Sequence, residues 1–123
     1  MVLVDTSIWI GYFSAGSYDA LDDLILEDLV VTNDVILSEL IPYLKHVGNN
    51  EAVHAMQGIQ FRKLDIYWEA LRQMQLLNLK NGINKVGIPD LIVAQHAIQN
   101  NFEIWTNDKH FYLMENIFEI KLF

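Results

Sequence analysis

Met1-Val2-Leu3-Val4-Asp5-Thr6-Ser7-Ile8-Trp9-Ile10 opens the chain with an apolar, β-branched run that ends at a carboxylate and two hydroxyl residues. The apolar residues Val2, Leu3 and Val4 show no in-out alternation, which is the pattern of a central parallel strand covered on both faces. Open parallel α/β sheets bind ligands just beyond the carboxyl ends of their strands, so Asp5 falls where chemistry is usually found. A lone Asp in that place is more often a helix cap, here for a helix opening at Ser7. Other carboxylates arriving at the same edge would change that balance.

Outward from this stretch, strands and helices alternate. Ile8, Trp9, Ile10, Tyr12 and Phe13 are too many apolar groups for a short helix with a free outer face. After a turn at Ala15-Gly16-Ser17, Tyr18 to Asp28 reads as a helix with Ala20, Leu21, Leu24 and Ile25 inward. Leu29 to Thr32 is a short strand, and Asn33 caps a helix running to about Val47 that Pro42 should kink or divide. A short helix spans Glu51 to Gly58. Lys63 to Ile66 reads as a weak strand or extended connection, and Tyr67 to Lys80 as a helix with Tyr67, Ala70, Leu71, Met74 and Leu77 on one face, stopped by Asn81-Gly82. Pro89 opens a helix whose Leu91, Ile92, Val93, Ala94, Ala97 and Ile98 nearly surround its axis, so it is buried. Phe102 to Thr106 is the next strand, Asn107 to Phe111 a turn into a short helix, and Phe118 to Leu122 alternates as an edge strand does. Such alternation means a parallel α/β sandwich, expected as a single domain over 1-123.

Size and composition set limits. A chain of 123 residues, 52% hydrophobic, builds one ordinary core. It has no cysteine, so neither a disulfide framework nor a Cys-based zinc site is available. No basic segment precedes the first apolar run, and no apolar stretch approaches the roughly 18 to 20 residues that span a bilayer, so a soluble cytoplasmic protein is expected. The formal charge of -8 is uneven. Residues 1 to 44 hold eight acidic and no basic side chains, whereas residues 45 to 123 hold eight of each. Asp19, Asp22, Asp23, Glu27 and Asp28 read as a solvated helix face. A chain this acidic lacks the broad basic footprint of a nucleic-acid binder. A polyanionic substrate would have to be met by metal ions and a local patch drawn from Arg62, Lys63, Arg72, Lys80, Lys85 and Lys109.

Four carboxylates can converge on one sheet edge. Asp5 ends a strand, Asp90 begins a buried helix, and Asp108 follows a strand. Glu39 borders the apolar face of the helix after Asn33, free to turn toward a cleft or toward water. Hard divalent cations such as Mg2+ or Mn2+ take oxygen ligands and are held by a few carboxylates together with substrate phosphate. Thr6, Ser7 and Thr106 stand beside the carboxylates, placed to orient them or to contact a phosphate. His46 and His54 have no partner at metal-ligand spacing and read as surface residues.

Taken in order, Val4-Asp5-Thr6-Ser7, Ser38-Glu39-Leu40, Pro89-Asp90-Leu91-Ile92-Val93-Ala94 and Thr106-Asn107-Asp108-Lys109-His110-Phe111 resemble the motifs of PIN domains, and among them the VapC-like toxin ribonucleases of toxin-antitoxin pairs. The resemblance covers the whole chain. It implies a three-layer α/β/α sandwich with a central, mainly parallel sheet of about five strands. It also implies that Asp5, Glu39, Asp90 and Asp108 form the catalytic metal site for Mg2+ or Mn2+, and that the protein is a metal-dependent endoribonuclease, with a cognate antitoxin as partner and a homodimer as assembly. Metal-assisted attack of water on phosphorus would leave a 5′-phosphate and a 3′-hydroxyl. Many members carry a further acidic residue where this chain has His110, which leaves one or two metals open. Trp9, Tyr12 and Phe13 either form a groove for the antitoxin or fill the core or a dimer contact.

Other classes fit less well. A haloacid-dehalogenase phosphatase needs a second Asp where Ser7 stands, a phosphate-receiver domain needs an acidic pair near the first strand's end, and neither glycine-rich phosphate loop is present. A PIN-like fold serving as a non-catalytic binding or assembly module is the alternative from another class.

Overall fold

Val2, Leu3 and Val4 are each no more than 3% exposed, and the strand they form lies in the middle of the sheet because no other position covers both faces of an unbroken apolar run. The computed structural model describes residues 1–15 and 18–123. The expected turn at Ala15-Gly16-Ser17 falls partly on 16 and 17, outside those residues. Among the described residues the strands are β1 (Val2–Val4), β2 (Val30–Thr32), β3 (Gln60–Phe61), β4 (Glu103–Trp105) and β5 (Lys121–Leu122), and the helices are α1 (Thr6–Ala15), α2 (Asp19–Leu26), α3 (Asp34–His46), α4 (Asn50–Met56), α5 (Trp68–Lys80), α6 (Ile88–Asn100) and α7 (Lys109–Met114). The five strands are parallel throughout, in the order β3-β2-β1-β4-β5. Leu3 pairs with Val31 on one side and Ile104 on the other, and all three are fully buried.

This order fixes where a site can form. The chain leaves β1 toward β2, and leaves β4 in the opposite direction toward β5. The connections diverge between β1 and β4, which opens a crevice at their carboxyl ends, the switch point at which such sheets bind ligands. Right-handed crossovers place α1 to α4 over one face and α5 to α7 over the other. Within these layers α1 packs on α3, α3 on α4, and α5 on α6, while α3 also meets α6, where Asn33 reaches His96.

Several boundaries differ from the sequence reading for physical reasons. The third strand is Gln60–Phe61, and of the two readings of Lys63 to Ile66 the extended connection is the one found, because that backbone is held by side chains of α6. Gln99 donates to the Asp65 carbonyl, while the Gln95 amide both accepts from the Tyr67 N–H and donates to its carbonyl. Pro42 does not divide α3. Pro42 is exposed there, as is Ser38 one turn earlier, whose carbonyl loses a donor, so water can serve it. Ile88 rather than Pro89 is the first residue of α6, with Gly87 as its N-cap. In α5, Leu71 faces the core, but Tyr67 and Leu77 are exposed, and buried Asn78 takes a place the apolar pattern did not assign. The last ladder is shorter than the alternation of Phe118 to Leu122 suggests, with only Lys121 and Leu122 paired. No helix among the described residues is long and apolar enough to cross a membrane.

Candidate metal centre

Asp5 is the first residue beyond β1, and its backbone is fully used by the fold. Its N–H donates to the Trp105 carbonyl at 2.9 Å, and its own carbonyl accepts from Ile8 and Trp9 at the start of α1. The side chain does something else. It is 8% exposed, and its Oδ2 accepts from Thr106 Oγ1 at 2.7 Å and from Ser7 Oγ at 3.1 Å. Cap geometry thus comes from the Asp5 backbone, while two hydroxyls aim the carboxylate. The same hydroxyls accept in turn: the Asn107 N–H donates to Ser7 Oγ at 3.1 Å, and the Asp108 N–H donates to Thr106 Oγ1 at 2.9 Å. Ser7 and Thr106 therefore lash the end of β1 to the turn after β4.

Asp108 is the N-cap of α7, with Oδ1 accepting from the His110 N–H at 2.9 Å. The His110 ring sits over the same oxygen, its Nδ1 3.2 Å away. Glu39 lies on the exposed side of α3 and accepts from Thr6 Oγ1 at 2.9 Å. Of the two directions the sequence left open, this is the one toward the cleft.

Asp90, in the first turn of α6, reports on all the others. Burial and the negative charges of Asp108, Asp5 and Glu39, together with a hydrogen bond shared with Asp108, push its carboxyl up to about 6. Desolvation is the largest cause, followed by the Asp108 charge. Among the described residues no Lys or Arg pairs with any of the four carboxylates. Asp90 and Asp108 thus lie together at the switch point, with Asp5 and Glu39 near enough for their charges to act on Asp90. Thr6, Ser7 and Thr106 each bind one of their oxygens.

The tightest subset is not the expected one. One ligand atom each from Asp90, Asp108 and His110 lie within 4.8 Å of one another, whereas Asp5 and Glu39 act on Asp90 from outside that set. His110 was legible only as a departure from an acidic pattern. Its place beside Asp108 in the first turn of α7 brings it in. A second histidine, His96, carries no signal in the sequence because it interrupts an apolar face. His96 is 2% exposed, and its Nδ1 lies 2.9 Å from Asn33 Nδ2. Asn33 Oδ1 is already committed to the Ile36 N–H as the cap of α3, so Nδ2 can only donate and His96 Nδ1 must accept. Burial holds His96 below the ordinary imidazole range.

Of the aromatic residues near the N-terminus, Trp9 is core. It is 1% exposed, stacked on Phe13 at 5.6 Å and edge-on to Tyr12 at 5.9 Å between ring centres. Trp9 therefore lines no outer groove. Tyr12 and Phe13 do, with Asn49, Glu51, Ala52 and Ala55, around a cavity of about 430 Å³.

The family model described as the PIN domain matches residues 2–116. A search of curated proteins returns no match. Among solved structures, the chain resembles VapBC2 from Rickettsia felis bound to a DNA fragment from their promoter, with a TM-score of 0.79 and 16% identity over 100% of this chain and 98% of that one. DNA-bound VapBC from Salmonella typhimurium gives a TM-score of 0.76 and 18% identity, covering 99% and 96%. VapC20 from Mycobacterium tuberculosis, a Sarcin-Ricin loop cleaving toxin, gives 0.56 and 14%, covering 84% and 85%. At these identities the likeness is one of fold.

Proposed function

The chain belongs to the PIN domain family, and from that premise we propose that it is a Mg2+- or Mn2+-dependent endoribonuclease acting as the toxin of a toxin-antitoxin pair. The observation that carries the proposal is the cluster at the switch point, where ligand atoms of Asp90, Asp108 and His110 lie within 4.8 Å of one another and where burial and the charges of Asp108, Asp5 and Glu39 push the Asp90 carboxyl up to about 6. Acidic side chains set this close, with no Lys or Arg paired to them among the described residues, are an arrangement a fold tolerates for a ligand of opposite charge.

The donor set fits a hard divalent ion. Asp5, Asp90 and Asp108 would hold it, with Glu39 reaching it through water, and oxygen donors of this kind suit Mg2+ or Mn2+. When bound, such an ion eases deprotonation of water and offsets the charge of a phosphodiester. The chain's own residues do the rest. Thr106 and Ser7 fix the Asp5 carboxylate before substrate arrives, and Thr6 fixes Glu39. The Asp90 carboxyl, pushed up to about 6, holds a proton more readily than a free carboxyl when the site is free of cations and must give it up when a cation enters. Attack in line with the leaving 3′ oxygen yields a 5′-phosphate and a 3′-hydroxyl.

Two partner surfaces support the toxin reading. The groove at Tyr12, Phe13 and Ala52 would receive a segment of the antitoxin, with the acidic first third of the chain favouring a basic one. Trp68, Leu76, Leu79 and Ile88 are each about half exposed along α5 and the start of α6, and would be covered in a homodimer. A cytoplasmic location agrees with the absence of cysteine and with an RNA substrate.

The test is incubation of the purified protein with end-labelled single-stranded RNA in Mg2+, Mn2+ or EDTA. Cleavage in metal that stops in EDTA is expected, with 5′-phosphate products. RNA left intact in both metals contradicts the proposal.

A further inference from the structure

We propose that His110 supplies a nitrogen donor to the metal site and thereby sets its preference, toward Mn2+ and away from Mg2+. The inference rests on the metal-nuclease reading above and concerns the one member of the tight cluster that is not a carboxylate.

Three observations carry it. Asp90, Asp108 and His110 are the residues whose ligand atoms lie within 4.8 Å of one another, so an ion placed by the two carboxylates is also within reach of the ring. The Asp108 carboxylate orients the ring, since His110 Nδ1 lies 3.2 Å from Asp108 Oδ1, and with Nδ1 donating there Nε2 is the nitrogen left for a metal. His110 is also partly shielded, with a side-chain exposure of 19%, which limits the alternative positions open to it.

Chemistry then decides which ion benefits. Mg2+ demands near-octahedral oxygen coordination and is reluctant to leave water. Imidazole is a ligand for transition-series ions rather than for Mg2+, and Mn2+, though the weakest binder of that series, is the one that shares the preference of Mg2+ for carboxylates. A histidine at this position keeps the site's donor count while exchanging an oxygen donor for nitrogen. That exchange weakens Mg2+ more than Mn2+.

The test uses the whole chain with the metal alone. Pulsed electron paramagnetic resonance of the Mn2+-loaded wild type should show coupling to a nitrogen nucleus, lost in His110→Ala and His110→Asp. Calorimetric titrations should give a ratio of Mg2+ to Mn2+ dissociation constants that falls by about tenfold in His110→Asp, the size of change expected when one coordinating group is exchanged. Mn2+ bound with no nitrogen coupling in the wild type overturns the His110 assignment alone, and so does an unchanged ratio in His110→Asp. Binding of neither metal to the wild type overturns the metal-nuclease reading with it. The wild-type spectrum needs no variant, so a poorly folding mutant does not blunt the test.

Discussion

Thr106 Oγ1 donates to Asp5 Oδ2 at 2.7 Å although 101 residues separate the two in sequence. The bond ties the ends of the two strands that flank the switch point, and the same Thr106 oxygen accepts the Asp108 N–H. One hydroxyl therefore places two of the four carboxylates.

Thr106→Val keeps the shape of this buried side chain and removes both interactions. We expect a loss of about 1.5 to 3 kcal/mol, the usual range for a hydrogen bond to a charged group. Metal affinity should fall by about tenfold as Asp5 loses its orienting donor. Urea denaturation and a Mn2+ titration check the two effects separately, and unchanged affinity in a destabilised variant would reduce Thr106 to a packing role.

The pH dependence of the metal-free protein follows from Asp90. Its folded-state value of about 6 lies above the ordinary 3.8, so the folded state holds the proton more tightly than the unfolded one. Its contribution to stability is fully present below about pH 4 and is lost as the pH rises through 6. Asp90→Asn abolishes that dependence. In EDTA the variant should melt higher than wild type at pH 7, and the gap should close toward pH 4. A gap that stays constant across this range would mean that Asp90 is not strained by its neighbours.

Metal should reverse the order. A cation that binds only the folded protein, at ten times its dissociation constant, adds about 1.4 kcal/mol, or a few degrees in melting temperature for a chain of this size. Wild type should gain this shift from Mn2+ at constant ionic strength, and Asp90→Asn clearly less. Equal shifts would remove Asp90 from the binding site.

Asn33 carries two roles that substitution can separate. Asn33→Ser keeps a capping oxygen for the Ile36 N–H but loses the donor to buried His96, at a cost of about 1 to 2 kcal/mol. Asn33→Ala loses both, and about 1 kcal/mol more is expected. Chemical denaturation of the pair checks the increment, and identical losses would mean that the α3 cap contributes nothing.

Much of this was legible because the decisive signals are local. Three successive apolar residues before Asp5 define a central strand, and Asp5, Asp90 and Asp108 each follow a strand or open a helix, where backbone geometry leaves little freedom, whereas Glu39 lies within α3 and its direction had to come from the Thr6 contact. Asn33 announced itself as a cap for the same reason. What escaped the sequence was set by tertiary contacts. Gln95 and Gln99 draw the backbone at 65 to 67 away from the sheet, a pairing no periodicity encodes. Trp9 lies on a helix that is apolar nearly all round, so its pattern cannot say which side is covered, and the core took it. His96 replaces an apolar residue on a buried helix and is intelligible only once Asn33 is seen opposite it. His110 has no local signature of its own, because its meaning depends on Asp90, which arrives from a different helix.

The most direct test is the single-turnover cleavage rate of single-stranded RNA in Mn2+ for wild type and for Asp5→Asn, Asp90→Asn, Asp108→Asn and Glu39→Gln. Each change removes one charge from the crevice at nearly constant volume. The three Asp variants should lose at least about a hundredfold in rate, and Glu39→Gln less, since Glu39 is exposed and acts from the rim. Wild-type rates in Asp5→Asn and Asp90→Asn would contradict a catalytic metal site at the switch point.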